Sequence, residues 1–245
     1  MPPNDTLAVL QNWRSVAALI DHTLLKPEAT ASDIAQLCRE AAHYRFATAF
    51  VQPCWVELAA HTLASSGIKV GTPIGFPHGA NLTSVKRFEA EQAVKSGAQE
   101  LDLVINIGAL KSDDRKLVQE DIHAVVEVGH AHGALVKIIL ETPLLSTDQK
   151  IAACHMSMAA GADFVKTATG FNGGGATVED VMLLRASVSS DMGVKASGGI
   201  RTLSDLRHMV LAGATRIGTS AGVSILRDMG APELPSSSRA PVTSY

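Results

Sequence analysis

The feature that most constrains this chain is a repeated alternation of two segment types. Short aliphatic or β-branched runs alternate with longer amphipathic stretches, eight times over. The short runs predict strands at Val16–Asp21, Phe46–Val51, Lys69–Ile74, Glu100–Asn106, Leu135–Glu141, Asp163–Ala168, Gly193–Ser197 and Thr215–Gly218. Between them the pattern predicts helices near residues 31–44, 55–66, 83–97, 113–132, 147–160, 177–189 and 202–212, with a short last helix after Ser220. Strand followed by helix, repeated, demands a parallel sheet with helical crossovers. Eight such units in 245 residues match one α/β domain of the (β/α)8, or TIM barrel, class.

The punctuation agrees with the pattern. Ser96-Gly97-Ala98, Ala160-Gly161-Ala162 and Ala212-Gly213-Ala214 each end a predicted helix with glycine before a strand. Ser146 or Thr147, Thr177 followed by Asp180, and Thr202 or Ser204 read as helix N-caps. Residues up to about 15 read as an extra helix closing the barrel bottom, residues of about 16–229 as the barrel. From Gly230 onward a Pro- and Ser-rich stretch reads as a flexible tail. No second domain is expected.

Composition removes several function classes. The chain is 46% hydrophobic and 18% charged, with a net charge of −3 and no basic stripe, so nucleic acid is not an expected partner. No apolar run reaches the ~18 residues of a membrane helix, and the N-terminus lacks the pattern of a secretory signal. Three cysteines, Cys38, Cys54 and Cys154, fit no zinc spacing and read as reduced thiols of a cytoplasmic protein.

In a barrel, alternate strand residues face the helices and the interior. Leu101, Leu103 and Ile105 form the helix-facing set of the fourth strand, which sends Glu100, Asp102, Val104 and Asn106 inward. The same rule sends Leu135, Lys137, Ile139 and Glu141 inward on the fifth strand, Phe164, Lys166 and Ala168 on the sixth, and Lys195 and Ser197 on the seventh. Four consecutive strands therefore aim Asp102, Lys137, Lys166 and Lys195 at one interior. Adjacent strands lie ~4.8 Å apart, and charges at that density are costly to bury unless they pair or react. One reading is a structural ion-pair cluster of Asp102, Glu141, Lys137 and Lys195. The other is an amine nucleophile beside a second cation. A free lysine with a pKa of ~10.4 is almost never neutral at pH 7. A dry surround and a neighbouring ammonium both disfavour its charged form. The neutral amine could attack a carbonyl and form an iminium, an electron sink for C–C cleavage.

The last two strands run into glycine-rich turns, Ser197-Gly198-Gly199-Ile200-Arg201 and Gly218-Thr219-Ser220-Ala221-Gly222. These are the places where barrels often bind phosphate, because glycine lets backbone N–H groups approach an anion. A third loop, Thr169-Gly170-Phe171-Asn172-Gly173-Gly174-Gly175, lacks the G-x-G-x-x-G order of a dinucleotide turn and reads as the rim beside Lys166.

Taken together, these segments resemble the deoxyribose-phosphate aldolase family from about Ile20 to Leu226. The resemblance rests on Leu19-Ile20-Asp21-His22-Thr23-Leu24-Leu25, Glu100-Leu101-Asp102-Leu103-Val104, Lys137-Ile138-Ile139-Leu140-Glu141-Thr142, Asp163-Phe164-Val165-Lys166-Thr167-Ala168-Thr169-Gly170-Phe171, Val194-Lys195-Ala196-Ser197-Gly198-Gly199-Ile200-Arg201 and Arg216-Ile217-Gly218-Thr219-Ser220. It implies reversible cleavage of 2-deoxy-D-ribose 5-phosphate to acetaldehyde and D-glyceraldehyde 3-phosphate. It also implies Lys166 as the Schiff-base lysine, Lys195 as the second lysine that lowers its pKa and moves protons, and Asp102 as a proton relay working with a water. Asp21 and Thr23 are implied as polar rim residues, and Thr169, Gly170, Gly198, Gly199, Arg201, Gly218, Thr219 and Ser220 as substrate contacts. No metal and no cofactor are implied, since the iminium serves as the electron sink. The partners implied are a phosphorylated sugar and aldehydes, in a homodimer or homotetramer.

Some members carry a lysine where this chain has Phe171, which shifts phosphate binding onto the turns after the last two strands. Certain members end in a tyrosine that assists proton transfer, and this chain ends in Tyr245. Cys54 follows the second strand near the expected mouth, where an aldehyde could modify it. His130 and His132 cannot share one helix face and read as solvated. Another Schiff-base aldolase for phosphorylated sugars, or a non-catalytic sugar-phosphate-binding barrel, remain the alternatives.

Overall fold

The computed structural model of the chain describes residues 7–235. Eight parallel strands follow one another around a closed barrel: β1 (Ile20–Leu24), β2 (Thr48–Val51), β3 (Lys69–Ile74), β4 (Glu100–Val104), β5 (Leu135–Ile139), β6 (Phe164–Lys166), β7 (Gly193–Ser197) and β8 (Arg216–Thr219), with β8 pairing back onto β1. Each strand is followed by a helix: α1 (Ala31–Tyr44), α2 (Val56–Leu63), α3 (Thr83–Lys95), α4 (Arg115–Ala131), α5 (Thr147–Ala159), α6 (Val178–Ser187), α7 (Leu203–Leu211) and α8 (Gly222–Arg227). This is the expected (β/α)8 architecture. Two short helices, Trp13–Ala17 and Ile107–Lys111, lie outside the repeat.

The helices begin and end where their caps dictate. Thr30 and Asp33 form a reciprocal capping box at α1, Ser146 and Gln149 at α5, and Thr202 and Asp205 at α7. Each box satisfies backbone N–H groups that the helix itself cannot pair, a contribution of about 1 kcal/mol. Along α1, Ile34, Leu37, Cys38, Ala41 and Tyr44 are buried, a spacing that puts them on one face. Burying a leucine or isoleucine there is worth roughly 1.5–3 kcal/mol, more than the caps contribute. At the other end, Gly97, Gly161 and Gly213 stand at φ +105°, +79° and +111° after α3, α5 and α7.

The helix-facing strand residues Leu101, Leu103, Val136, Ile138, Val165, Val194, Ala196 and Ile217 belong to one apolar core with the inner faces of the helices. That core is a sleeve around the barrel, which leaves the interior to other side chains. Gly218 of β8 has a steric reason to be glycine: a Cβ there would lie 3.0 Å from both Lys195 Cε and Ser197 Cβ.

Several boundaries differ from expectation. The first strand starts at Ile20 rather than Val16, because Val16 belongs to the helix Trp13–Ala17, whose Asn12 side chain accepts from the Arg14 amide at 2.9 Å. The N-terminal helix is therefore not one piece ending near Arg14. Residues 7–9 are helical, and a turn separates them from Trp13–Ala17. The fourth strand stops at Val104 because Asn106 caps Ile107–Lys111, accepting from the Ala109 amide at 3.0 Å. At the start of the expected tail, Ala231 is buried and the Tyr44 hydroxyl donates to the Pro232 carbonyl at 2.9 Å. Tyr245 lies outside the described residues.

Candidate active site

Strand register brings the inward-facing ionisable groups together. Asp102 of β4 is in register with Lys137 of β5, Lys166 of β6 with Lys195 of β7, and Lys195 with Arg216 of β8. Asp102 is the hub. Its Oδ1 accepts from Lys137 Nζ at 2.8 Å, and its Oδ2 accepts from Lys166 Nζ at 2.8 Å and Lys195 Nζ at 2.7 Å. Below it, Lys137 Nζ pairs with Glu100 Oε2 at 2.6 Å, and Arg216 joins Asp21 at 2.7 Å to Glu100 at 3.0 Å. Lys195 Nζ also lies 2.5 Å from Asp21 Oδ2. The ring of Phe50 forms an apolar wall, its centroid 4.3 Å from Lys195 Nζ, 5.3 Å from Lys166 Nζ and 5.6 Å from Lys137 Nζ.

Burial and charge act on these groups in opposing senses. Burial would raise the Asp102 pKa, but the ammonium groups of Lys137, Lys166 and Lys195 outweigh it and hold the carboxyl well below its usual range. Asp21 is lowered in the same way by Lys195, Lys137 and Arg216. For Lys137 the carboxylates of Asp102, Glu100 and Asp21 override burial and push its pKa up. Lys166 goes the other way. Burial, aided by Lys195 and Lys137, lowers its pKa to about 8 although Asp102 opposes this. The dry surround is thus the leading cause and the neighbouring ammonium the lesser one, the reverse of the emphasis that a lysine pair in a sequence suggests.

The Lys166 and Lys195 side chains open onto a cavity of about 270 Å³ at the C-terminal ends of the strands. Thr23, Thr169, Gly198, Gly199, Arg201, Gly218, Thr219 and Ser220 line it, as do Lys26 and Phe171. The threonine hydroxyls there are already engaged. Thr23 donates to Asp21 O at 2.8 Å, Thr169 to Glu141 Oε2 at 2.6 Å and Thr219 to Ile200 O at 2.7 Å. Among the described residues, the backbone amides of Gly198, Gly199, Ile200 and Ser220 donate to no protein acceptor. Free main-chain N–H groups therefore surround this cavity beside the Lys26 and Arg201 side chains, a donor set suited to an anion.

Three expectations need correction. Asp21 is no rim residue: it is fully buried beneath Lys195. Gly170 is exposed and is not among the residues lining the cavity, and an added Cβ there would meet Gly198 Cα at 3.3 Å. Glu141 is absent from the ion-pair cluster, because at φ 59° and ψ 57° the chain has left the extended geometry that alternation presumes. The helix-end histidines are exposed, as expected, and each also makes one contact: His130 Nε2 meets Asp163 Oδ2 at 3.0 Å and His132 Nδ1 meets Val128 O at 2.9 Å. Cys54 is exposed and does not line the cavity.

Sequence reasoning gave no role to Glu100, Arg216, Phe50 or Lys26. Alternation from helix-facing Ile217 places Arg216 inward, so that signal was present. Among the described residues no three His, Cys, Asp or Glu side chains are grouped to hold a metal ion, and no helix is long and apolar enough to cross a membrane.

Known proteins are similar to this chain in sequence and fold. The family described as DeoC/LacD family aldolase matches residues 15–230. A deoxyribose-phosphate aldolase of Streptococcus sanguinis is 58% identical over 208 residues, 85% of this chain and 94% of the relative. One from Halalkalibacterium halodurans is 55% identical over 214 residues, 87% and 95% of the two chains. The tetrameric deoxyribose phosphate aldolase structure from Aeropyrum pernix superposes with a TM-score of 0.85 at 35% identity, covering 94% of this chain and 99% of that one.

Proposed function

Because the chain belongs to the DeoC/LacD aldolase family, we propose that its one barrel catalyses reversible aldol cleavage of 2-deoxy-D-ribose 5-phosphate through a Schiff base on Lys166. The observation that carries the residue assignment is the state of that amine. Of the lysines clustered inside the barrel, Lys166 has its pKa lowered, to about 8, and it faces the cavity.

The chemistry then follows from position. Neutral Lys166 Nζ adds to the C1 aldehyde of the open-chain sugar, and loss of water from the carbinolamine gives the iminium. Removal of the proton from the C3 hydroxyl breaks the C2–C3 bond, with the electron pair moving into the iminium to give an enamine. Glyceraldehyde 3-phosphate departs. Protonation of the enamine at C2 and hydrolysis release acetaldehyde and restore the amine. Asp102, held below its ordinary range by its three ammonium partners, is a weak base by itself. It holds Lys166 and Lys195 in place and orients the water that carries protons between substrate and protein. Lys195, between Asp21 and Asp102, is the adjacent proton donor. The free amides of Gly198, Gly199, Ile200 and Ser220, with Lys26 and Arg201 at the mouth, receive the phosphate.

Borohydride reduction in the presence of deoxyribose 5-phosphate, followed by peptide mass mapping, tests the assignment. The expected adduct is on Lys166, with none from fructose 1,6-bisphosphate. Lys166→Ala is expected to abolish cleavage with the fold intact. Cleavage by that variant, or an adduct on another lysine, would refute the reading.

The working assembly we propose is a homodimer or homotetramer. Leu82, Val85 and Phe88 expose large apolar side chains at and after the start of α3, a patch of the kind that contacts a partner, and the Aeropyrum pernix relative is tetrameric. Sedimentation as a monomer at micromolar concentration would contradict it. A cytoplasmic place of action is consistent with three free cysteines.

A further inference from the structure

Glu141 is a buried carboxylate that the mechanism above does not use. It follows β5, is fully buried, and stands in the left-handed region at φ 59° and ψ 57°. Glycine would adopt that conformation freely, whereas a residue with a Cβ is strained there. Among the described residues, the carboxylate is engaged by one loop only. It accepts from the Thr169 amide at 3.2 Å and 3.3 Å, from the Thr169 hydroxyl at 2.6 Å and from Asn172 Nδ2 at 2.8 Å. These donors lie just after Lys166 in the chain.

The loop so fastened reaches two other parts of the site. Asn172 also donates to the Pro77 carbonyl at 3.1 Å, and Phe171 meets Phe76 edge-on at 5.1 Å between centroids, so the loop is tied to the segment after β3. On its other flank it packs on the turn after β7. The Ala176 amide donates to Gly198 O at 3.0 Å, and a Cβ on Gly198 would lie 2.8 Å from Gly175 Cα. Gly198 and Gly199 present two of the free amides assigned to phosphate. A displacement of the loop by a few tenths of an ångström is therefore passed directly to those amides.

We propose that Glu141 is a positioning residue for the phosphorylated half of the substrate, fixing the loop 169–176 and through it the Gly198–Gly199 turn, without touching substrate itself. The inference rests on the Schiff-base reading above and deepens it. A neutral donor set of this size can hold one carboxylate, and the left-handed backbone aims that carboxylate at Thr169 rather than at the lysine cluster. The acetaldehyde half, bound covalently at Lys166, does not need the turn. The phosphorylated half does.

The test compares Glu141→Gly, which keeps the backbone conformation and deletes the clamp, with Glu141→Gln and with Asn172→Ala, which cuts only one of its links. For each, steady-state cleavage of deoxyribose 5-phosphate is measured beside borohydride trapping of acetaldehyde on Lys166. The expected result is a rise in KM of at least tenfold for Glu141→Gly and a smaller rise for the other two. The fall in trapping rate should be at least fivefold smaller than the fall in kcat/KM. Cleavage and trapping falling in parallel with thermal stability would reduce Glu141 to a packing role and overturn the proposal, as would an unchanged KM in Glu141→Gly. Absence of any adduct in the unaltered protein would instead sink the Schiff-base reading.

Discussion

Replacing Lys195 by methionine isolates the electrostatic part of the mechanism. Methionine keeps the length and apolar stem of the side chain and removes its charge. The nitrogens of Lys166 and Lys195 lie 2.8 Å and 2.7 Å from the same Asp102 oxygen, so they are at most ~5.5 Å apart, where like charges repel by roughly 3 kcal/mol at an effective dielectric of about 20, or ~2 pKa units. Removing that repulsion lets the Asp102 carboxylate act on Lys166 with less opposition, which works in the same direction. The pKa of Lys166, about 8 in the intact site, should therefore rise to ~10. The sign is fixed: the reactive form is the neutral amine, so activity is lost as pH falls through this pKa. At pH 7 the neutral fraction drops from about one tenth to about one thousandth, a loss of ~100-fold. The assay is kcat/KM against pH, which reports the free enzyme, together with the pH dependence of acetaldehyde trapping by borohydride. Both acid limbs should move alkaline by ~2 units, with about half of the trapping rate recovered near pH 10. A limb that stays near pH 8 with a loss independent of pH would refute the reasoning and leave Lys195 a proton donor only.

Two further outcomes follow from geometry. Gly79 stands at φ +66°, and a Cβ there would fall 1.9 Å from the Ile105 carbonyl oxygen, so Gly79→Ala should destabilise the fold by about 3 kcal/mol or more; urea unfolding that shifts by less than ~1 kcal/mol would contradict this. Ser220 is exposed at the mouth beside the free amides, so Ser220→Asp should raise KM for deoxyribose 5-phosphate at least tenfold and that for unphosphorylated deoxyribose less than threefold. Equal effects on the two substrates would move the phosphate elsewhere.

The barrel was legible because its helices and strands carry different periods, and because caps such as Thr177 and Thr202 mark the joints. The one large boundary error came from Arg14-Ser15-Val16-Ala17-Ala18-Leu19-Ile20, a short apolar stretch in which periodicity cannot separate helix from strand. The Asn12 cap was the discriminating signal. The lysines were legible for the same reason as the strands, since alternation orients a side chain wherever the backbone is extended. That rule fails one step past a strand end, which is why Glu141 was grouped with residues it does not touch. It is also silent on pairing across the barrel. Arg216 meets Asp21 and Glu100 only once β8 closes on β1.

Those cross-barrel pairs give the physical ground for assigning the reactive amine to Lys166 rather than to another lysine of the cluster. The interior holds three carboxylates, Asp21, Glu100 and Asp102, against four cations, Lys137, Lys166, Lys195 and Arg216. Three pairs neutralise one another in a space that tolerates little net charge. The fourth cation is left over, and its proton is most easily lost at the position with fewest carboxylates. Lys137 touches Asp102 and Glu100 and has Asp21 at 3.8 Å. Lys195 touches Asp21 and Asp102. Lys166 touches Asp102 alone. The same surplus then acts during the reaction. An iminium on Lys166 restores the positive charge that burial disfavours, and the enamine removes it again. A site that destabilises positive charge on this nitrogen therefore also favours electron flow from the C2–C3 bond into the iminium, so one cause serves both the attack and the cleavage.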